Sequence, residues 1–500
     1  MRHSPLIWSG LVSAIALLIV PGRADAADSI KCNLAWDAAS ARPSRSGYQN
    51  FLNICGGHSR ARDARAWIAA HTPTPTPRPA PTPGPSPSPT LTASEAFKRG
   101  LAADSAKNYA EAAGYYKQAC NGGEAAGCTN LGFLYDAGRG VTADLARAAQ
   151  LYKQACDGGN TGGCKNLGNL YETGQGVTAD PARAAQLYKQ ACDGRNAAGC
   201  TNLGALHDTG HGVPTDKARA AQLYKQGCDG GNAAGCTNLG FLYDMGQGVP
   251  TDRARAAQLY KQACDSGNAR GCSNLGVLYE TGQGVPADKA RAAQLYKQVC
   301  DGGYAPGCSN LGVLYETGRG VPTDKARAAQ LYKQGCDGGN TTGCTGLGFL
   351  YEMGQGVPTD KARAAQLYKQ ACDGNDAQGC SNFGFLHEWG QGVPTDKARA
   401  AQLYKQGCDG GFVRGCTNLG VLYDTGQGVP TDKARAAQLY KQGCDGGNAL
   451  GCSNLAVRYE YGGGVNANRQ TAIDFYRQAL RLETTLQDAK DGLKRLGQTP

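Results

Sequence analysis

The stretch VPTDKARAAQLYKQGCDGGNAAGCTNLGFLYDMGQG, residues 213–248, decides the fold. Asp216 can cap a helix, because its carboxylate accepts the free amides of a first turn. Ala220, Leu223, Tyr224, Gly227 and Cys228 then recur at helical spacing, with Lys217, Gln222, Lys225 and Gln226 on other faces. Gly230 and Gly231 end that helix, and Asn232 can cap the next. The second helix carries Cys236, Leu239, Gly240, Leu242 and Tyr243, and Gly246 and Gly248 end it before Pro250 opens the next unit. Each unit therefore reads as an antiparallel helix pair.

The phrase repeats with small edits. Its cysteines fall at Cys120/Cys128, Cys156/Cys164, Cys192/Cys200, Cys228/Cys236, Cys264/Cys272, Cys300/Cys308, Cys336/Cys344, Cys372/Cys380, Cys408/Cys416 and Cys444/Cys452, each pair 36 residues after the last. A period of that size means stacked copies of one supersecondary unit. The expected fold is all-α, an α/α solenoid over residues 91–465, in which each unit contacts its neighbours and no single core has to grow. Residues 466–500 keep the helical period, carry more charge and lack cysteine, so they read as a capping helix pair.

The N-terminus reads differently. Residues 1–26 have a short basic start, an apolar run from Leu6 to Val20 and a small-x-small site at Ala24–Ala26, the pattern of a secretory signal peptide. Residues 27–71 form a small segment with two short helices expected around Gly56-Gly57. In residues 72–90, TPTPTPRPAPTPGPSPSPT, proline stands at nearly every second position, which forbids helix and sheet and predicts an extended linker. No later stretch is long and apolar enough to span a bilayer, so no stable membrane span is expected after signal cleavage. The net charge of +10 is spread too thinly over 500 residues to argue for nucleic acid. The expected location is periplasmic or secreted.

Export bears on the 22 cysteines, because pairing is the default in an oxidising compartment. Cys228 falls in the last turn of one helix and Cys236 in the first turns of its antiparallel neighbour, within bridging reach. The same holds for the other nine pairs, and Cys32–Cys55 is a candidate extra bridge. Thiolate metal binding is the rival reading, although zinc sites usually show closer pairs or added histidines. Gly235 and Gly240 inside the second helix each cost about 1 kcal/mol relative to alanine, and close helix packing would explain them.

The unit AAQLYKQGCDGGNAAGCTNLGFLYDMGQGV resembles a Sel1-like repeat, and the eight-residue cysteine spacing resembles the Helicobacter cysteine-rich protein branch of that family. The resemblance covers about residues 93–465. It implies a right-handed superhelix of disulfide-stapled αα-hairpins, related to tetratricopeptide arrays, with adaptor or scaffold roles. It also implies that penicillin-binding or weak β-lactamase activity has to be weighed. The sequence has no Ser-x-x-Lys nucleophile, Ser-Asp-Asn or Lys-Thr-Gly. His387-Glu-Trp is half of a zinc-protease motif, and His207 and His211 replace the Tyr and Gln of other units. No catalytic, cofactor-binding or metal-binding residue is expected.

Variation among units points to binding instead. The residue before the second-helix terminator is Thr in five units, Ala137 in one, and Met245, Met353, Trp389 and Tyr461 in the others, and Tyr304 and Phe412 replace the usual Asn near the interhelix turn. These six are the candidate partner contacts. The frequent Asn after the second cysteine, as at Asn238, is expected to satisfy backbone groups at the turn. The functional expectation is an exported, non-catalytic scaffold that binds other proteins. A β-lactamase-type enzyme, and a spacer or binder of peptidoglycan or another envelope polymer, are the alternatives.

Overall fold

The computed structural model describes residues 32, 35–41, 43–55, 59–72 and 91–499. The expected signal peptide, and the expected linker beyond Thr72, lie outside the described residues. The chain divides into two units, residues 1–90 and 91–500.

In the first unit, helices Arg45–Cys55 and Ala61–Ala70 pack through Tyr48 and Phe51. Trp36 lies against both rings, at centroid distances of 5.5 and 5.3 Å. A bridge from Cys32 to Cys55 closes this small core.

The second unit is helical from Ala93 to Arg495, without a strand among the described residues. Two kinds of helix alternate, nearly all of 13 residues. One kind, exemplified by Lys217–Asp229, is capped by an aspartate: the Asp216 carboxylate accepts from the Arg219 amide at 2.8 Å. The other, exemplified by Ala233–Met245, is capped by an asparagine: Asn232 Oδ1 accepts from the Gly235 amide at 2.9 Å. Helices of the second kind approach one another across one repeat more closely than those of the first kind do, so the array curves toward the second kind. We call these the inner helices and the others the outer helices.

Each outer helix buries a tyrosine against the inner helix before it and, as Tyr332 shows, the one after it. The side chains of Tyr116, Tyr152 and their counterparts every 36 residues to Tyr476 are almost fully buried. Glycine makes room for them, since a Cβ on Gly240 would come within 2.8 Å of the Tyr260 ring. At Gly235 a Cβ would lie 2.9 Å from the Cys228 backbone nitrogen, so the two helices cross at backbone contact beside their bridge. The helical penalty of these glycines is thus offset by close approach. On the outer surface, exposed Lys–Asp pairs four residues apart recur, such as Lys225–Asp229 at 2.6 Å; each contributes a few tenths of a kcal/mol at most.

Ten bridges staple the array, one every 36 residues. Cys128 is bonded to Cys120, Cys164 to Cys156, Cys200 to Cys192, Cys236 to Cys228 and Cys272 to Cys264. Beyond them, Cys308 is bonded to Cys300, Cys344 to Cys336, Cys380 to Cys372, Cys416 to Cys408 and Cys452 to Cys444. Their Cα–Cα distances are 4.4 to 4.6 Å. No free cysteine remains among the described residues, so no thiolate is left there for the rival metal reading. Each bridge runs from the last turn of an outer helix to the fourth residue of the following inner helix, as Cys164 is in Thr161–Thr173 and Cys416 in Val413–Thr425.

The turn between the bridged cysteines needs a left-handed residue, which is Gly231 (φ +87°) in the quoted unit and Arg195 (φ +64°) in the preceding one. A side chain in this region is strained by about 1–2 kcal/mol. Arg195→Gly is therefore expected to raise stability by about 1 kcal/mol, part of the relief being returned as glycine's greater freedom in the unfolded chain. Urea unfolding of the two proteins checks this, and an unchanged midpoint would show that the arginine contributes compensating contacts.

Candidate partner-binding groove

The nonapeptide ARAAQLYKQ is identical in nine outer helices, from residues 146–154 to 434–442, including its exposed arginine, lysine and glutamines. Inner helices differ from one another, chiefly at their second, ninth and thirteenth positions. With the sixth, these positions share one helical face. Among the exposed positions within the helices, change is therefore concentrated on the face of the inner helices.

The varied face forms a groove of about 450 Å³ across inner helices Thr341–Met353, Ala377–Trp389, Val413–Thr425 and Ala449–Tyr461. Ninth-position Phe349 and Phe385, thirteenth-position Trp389 and second-position Leu450 supply exposed apolar surface. Trp389 is 61% exposed and stands 6.4 Å from the Phe385 ring, centroid to centroid. Phe412 forms part of the wall, together with Arg414.

On the floor, a carboxylate from each inner helix meets the buried tyrosine of the next outer helix. The Tyr368 hydroxyl donates to Glu352 at 2.7 Å, and the Tyr404 hydroxyl to Glu388 at 2.7 Å. Burial first, and then these carboxylates, push both hydroxyls well above the ordinary tyrosine range, so they stay neutral donors. Asn382 and Asn418 lie close enough to these hydroxyls to oppose part of that shift. The repeated asparagine is thus placed beside a tyrosine–carboxylate pair. In the unit with Gly346 instead, the Tyr332 ring lies 2.8 Å from where a Cβ would stand.

Phe412 replaces the usual Asn or Asp cap with a side chain that cannot accept, and helix Val413–Thr425 has no side-chain cap. Ser381 is the side chain that faces this position. In units with threonine there the hydroxyl donates to the cap residue, as Thr237 does to Asn268 at 3.1 Å and Thr345 to Asp376 at 3.1 Å, whereas Ser309, opposite Asn340, donates to the Ala305 carbonyl instead. Ser381 is 3% exposed, and its hydroxyl has no partner among the described residues. A helix cap is thus given up where an aromatic ring enters the groove wall.

Of the six candidate contacts, Trp389 and Phe412 meet in this groove. Met245, Met353 and Tyr461 are exposed at the same helix position elsewhere along the array. Tyr304 is half-buried and packs against Cys264, Cys272 and Val299 instead of standing free. Sequence reading passed over Phe349, Phe385, Leu450 and Arg414. Their signal was unit-to-unit variation at the second and ninth positions. No group of three His, Cys, Asp or Glu side chains suited to a metal ion occurs among the described residues. His387 contacts Phe383 and the Pro394 carbonyl, and the buried Nδ1 of His207 has no partner there. No described helix is long and apolar enough to cross a membrane.

Stacked, disulfide-linked helix pairs with an invariant outer face and a varied inner face define the tetratricopeptide-like class of α-solenoid scaffold. The Sel1 repeat model matches eleven successive segments, from residues 93–124 to 449–483, and the chain belongs to that family. The last match includes helix Arg469–Leu482, so the repeats run past residue 465. Sequence reading framed each cysteine pair inside one unit, whereas the family's boundaries fall between the paired cysteines. Cys200 lies in the segment after the one that holds Cys192, and Cys308, Cys344, Cys380 and Cys416 likewise stand one family repeat beyond their partners. Each bridge thus ties one repeat to the next.

A crystal structure of c5321, described as a protective antigen of uropathogenic Escherichia coli with this repeat fold, superposes with a TM-score of 0.58 at 25% identity, covering 81% of this chain and 87% of that one. A Sel1 repeat protein from Oxalobacter formigenes is 26% identical, with a TM-score of 0.45, over 48% of this chain and 96% of that one. "Putative beta-lactamase HcpE" of Helicobacter pylori is 42% identical over 52 residues, 10% of this chain and 13% of HcpE. The chain thus matches only about an eighth of that relative's length. Sel1 and tetratricopeptide-like arrays are suited to binding other proteins, and eleven disulfides fit an oxidising, extracytoplasmic setting.

Proposed function

We propose that this protein is an exported, non-catalytic scaffold of the cell envelope or the extracellular space, holding a partner protein in the groove around Trp389 and Phe412. The observation that carries the reading is the concentration of unit-to-unit change on the exposed face of the inner helices, against nine identical outer nonapeptides. Exposure alone does not account for it, because the equally exposed outer nonapeptide does not change. The forfeited cap at Phe412 supports the same reading, since local rules are most often broken where a site is built.

Affinity capture from an envelope extract tests the proposal, with the oxidised protein as bait and the reduced, alkylated protein as control. One or a few proteins retained only by the oxidised bait are expected. Retention on insoluble peptidoglycan without any captured protein would favour the polymer-binding alternative. The name of HcpE keeps a hydrolase reading alive, and steady β-lactam turnover by folded protein, absent after unfolding, would replace the scaffold proposal.

Two substitutions sharpen the test. Trp389→Ala is expected to weaken capture while changing stability by less than about 0.5 kcal/mol, as for other exposed side chains. Phe412→Asn is expected to restore the cap, raising stability by about 1 kcal/mol, while also weakening capture. Opposite movements of stability and binding at Phe412, read by urea unfolding and by capture, would not arise from a purely structural residue.

A further inference from the structure

We propose that the groove takes an extended, polyproline-type segment of a partner protein carrying basic residues three positions apart. The inference rests on the scaffold reading and specifies the chemistry of its partner. Adjacent packed helices lie about 8–10 Å apart, so the inner helices present one rung at that interval. A polyproline II strand has three residues per turn and rises about 3.1 Å per residue, which returns the same face every ~9 Å. Phe349 and Phe385 occupy the same helix position on successive rungs, with Trp389 beside the second, and all three line the groove as exposed rings. Such surfaces suit proline rings.

Charge sets the second requirement. Glu352 and Glu388 lie on the same two rungs and form no ion pair among the described residues, although each accepts from a tyrosine. Farther along the array the equivalent carboxylates are already occupied: Arg458 binds Asp424 at 2.8 Å, and Arg495 grips Glu460 through two nitrogens at 3.1 Å. The groove therefore combines apolar rungs with two carboxylates, one rung apart, that lack a cation. Basic side chains three residues apart on a polyproline strand would meet both. Arg414, also in the lining, disfavours further positive charge on its side of the groove.

The test uses the full oxidised protein and three fluorescein-labelled synthetic peptides, PPRPPRPP, GGRGGRGG and PPEPPEPP, followed by anisotropy. PPRPPRPP is expected to bind at least about tenfold more tightly than the flexible peptide of equal charge, and PPEPPEPP not to bind. Trp389→Ala, Phe412→Asn and the double variant Glu352→Gln/Glu388→Gln should each lower PPRPPRPP affinity by roughly tenfold, a change on the scale of removing one good contact. The glutamines can still accept from Tyr368 and Tyr404, so folding is preserved. Equal binding of PPRPPRPP and GGRGGRGG, no binding at all, or indifference to the three variants would overturn the proposal. If the oxidised protein and its Trp389→Ala variant then capture the same envelope protein, the scaffold reading stands and this groove is not its seat.

Discussion

Removing one bridge, by the double substitution Cys228→Ala/Cys236→Ala, is expected to lower stability by about 2.5 kcal/mol, the loop-entropy value for a closed loop of about nine residues. Full reduction is expected to unfold the array, because all of these constraints are released together. Its inner helices contribute little to holding themselves: each contains glycines, such as Gly235 and Gly240, that lower helical propensity in exchange for close packing. Circular dichroism of the oxidised and the reduced, alkylated protein checks the second expectation. Helical signal that survives reduction would show that stacking alone sustains the repeats. The position of a lost bridge matters as well. Opening Cys444–Cys452 should fray one end, whereas opening Cys228–Cys236 should let the two flanks melt separately, since each repeat is stabilised only through its neighbours.

Truncating one buried tyrosine should be more damaging still. Tyr368→Ala removes a fully buried ring from between two helices and is expected to cost about 4 kcal/mol, in line with other buried aromatic deletions. Tyr368→Phe keeps the ring and loses only the hydroxyl that donates to Glu352, so about 1–2 kcal/mol is expected. Urea unfolding of the pair separates packing from hydrogen bonding. A phenylalanine variant as weak as the alanine variant would place most of the stabilisation in the tyrosine–carboxylate pair.

The fold was legible because the period, the caps and the helix breakers agree within every 36-residue unit. Asp216, Asn232 and Gly246 mark helix ends by local rules that need no tertiary knowledge. The site was legible only in part. Trp389 and Phe412 stood out because they break a repeated pattern in chemically obvious ways. Phe349 and Phe385 did not, because an apolar residue at helical spacing reads as core, and only the stacking of inner helices turns that position outward. The place of the repeated asparagine was hidden for a related reason. Asn382 and Tyr368 are on different helices and meet only once the Gly374–Asp376 turn has folded the chain back.

The bridges also determine what a protease could achieve. Glycine-rich surface turns such as Asp229–Gly231 are the places where chains are most readily nicked. In this array every interhelix turn between paired cysteines is enclosed by its own covalent loop, from Cys120–Cys128 to Cys444–Cys452. A cut inside any of those loops leaves both fragments joined through sulfur, with the repeats on either side still in register. Damage at the turns is thereby reduced from severance to a local wound, and the molecule keeps its length until the bridge itself is reduced.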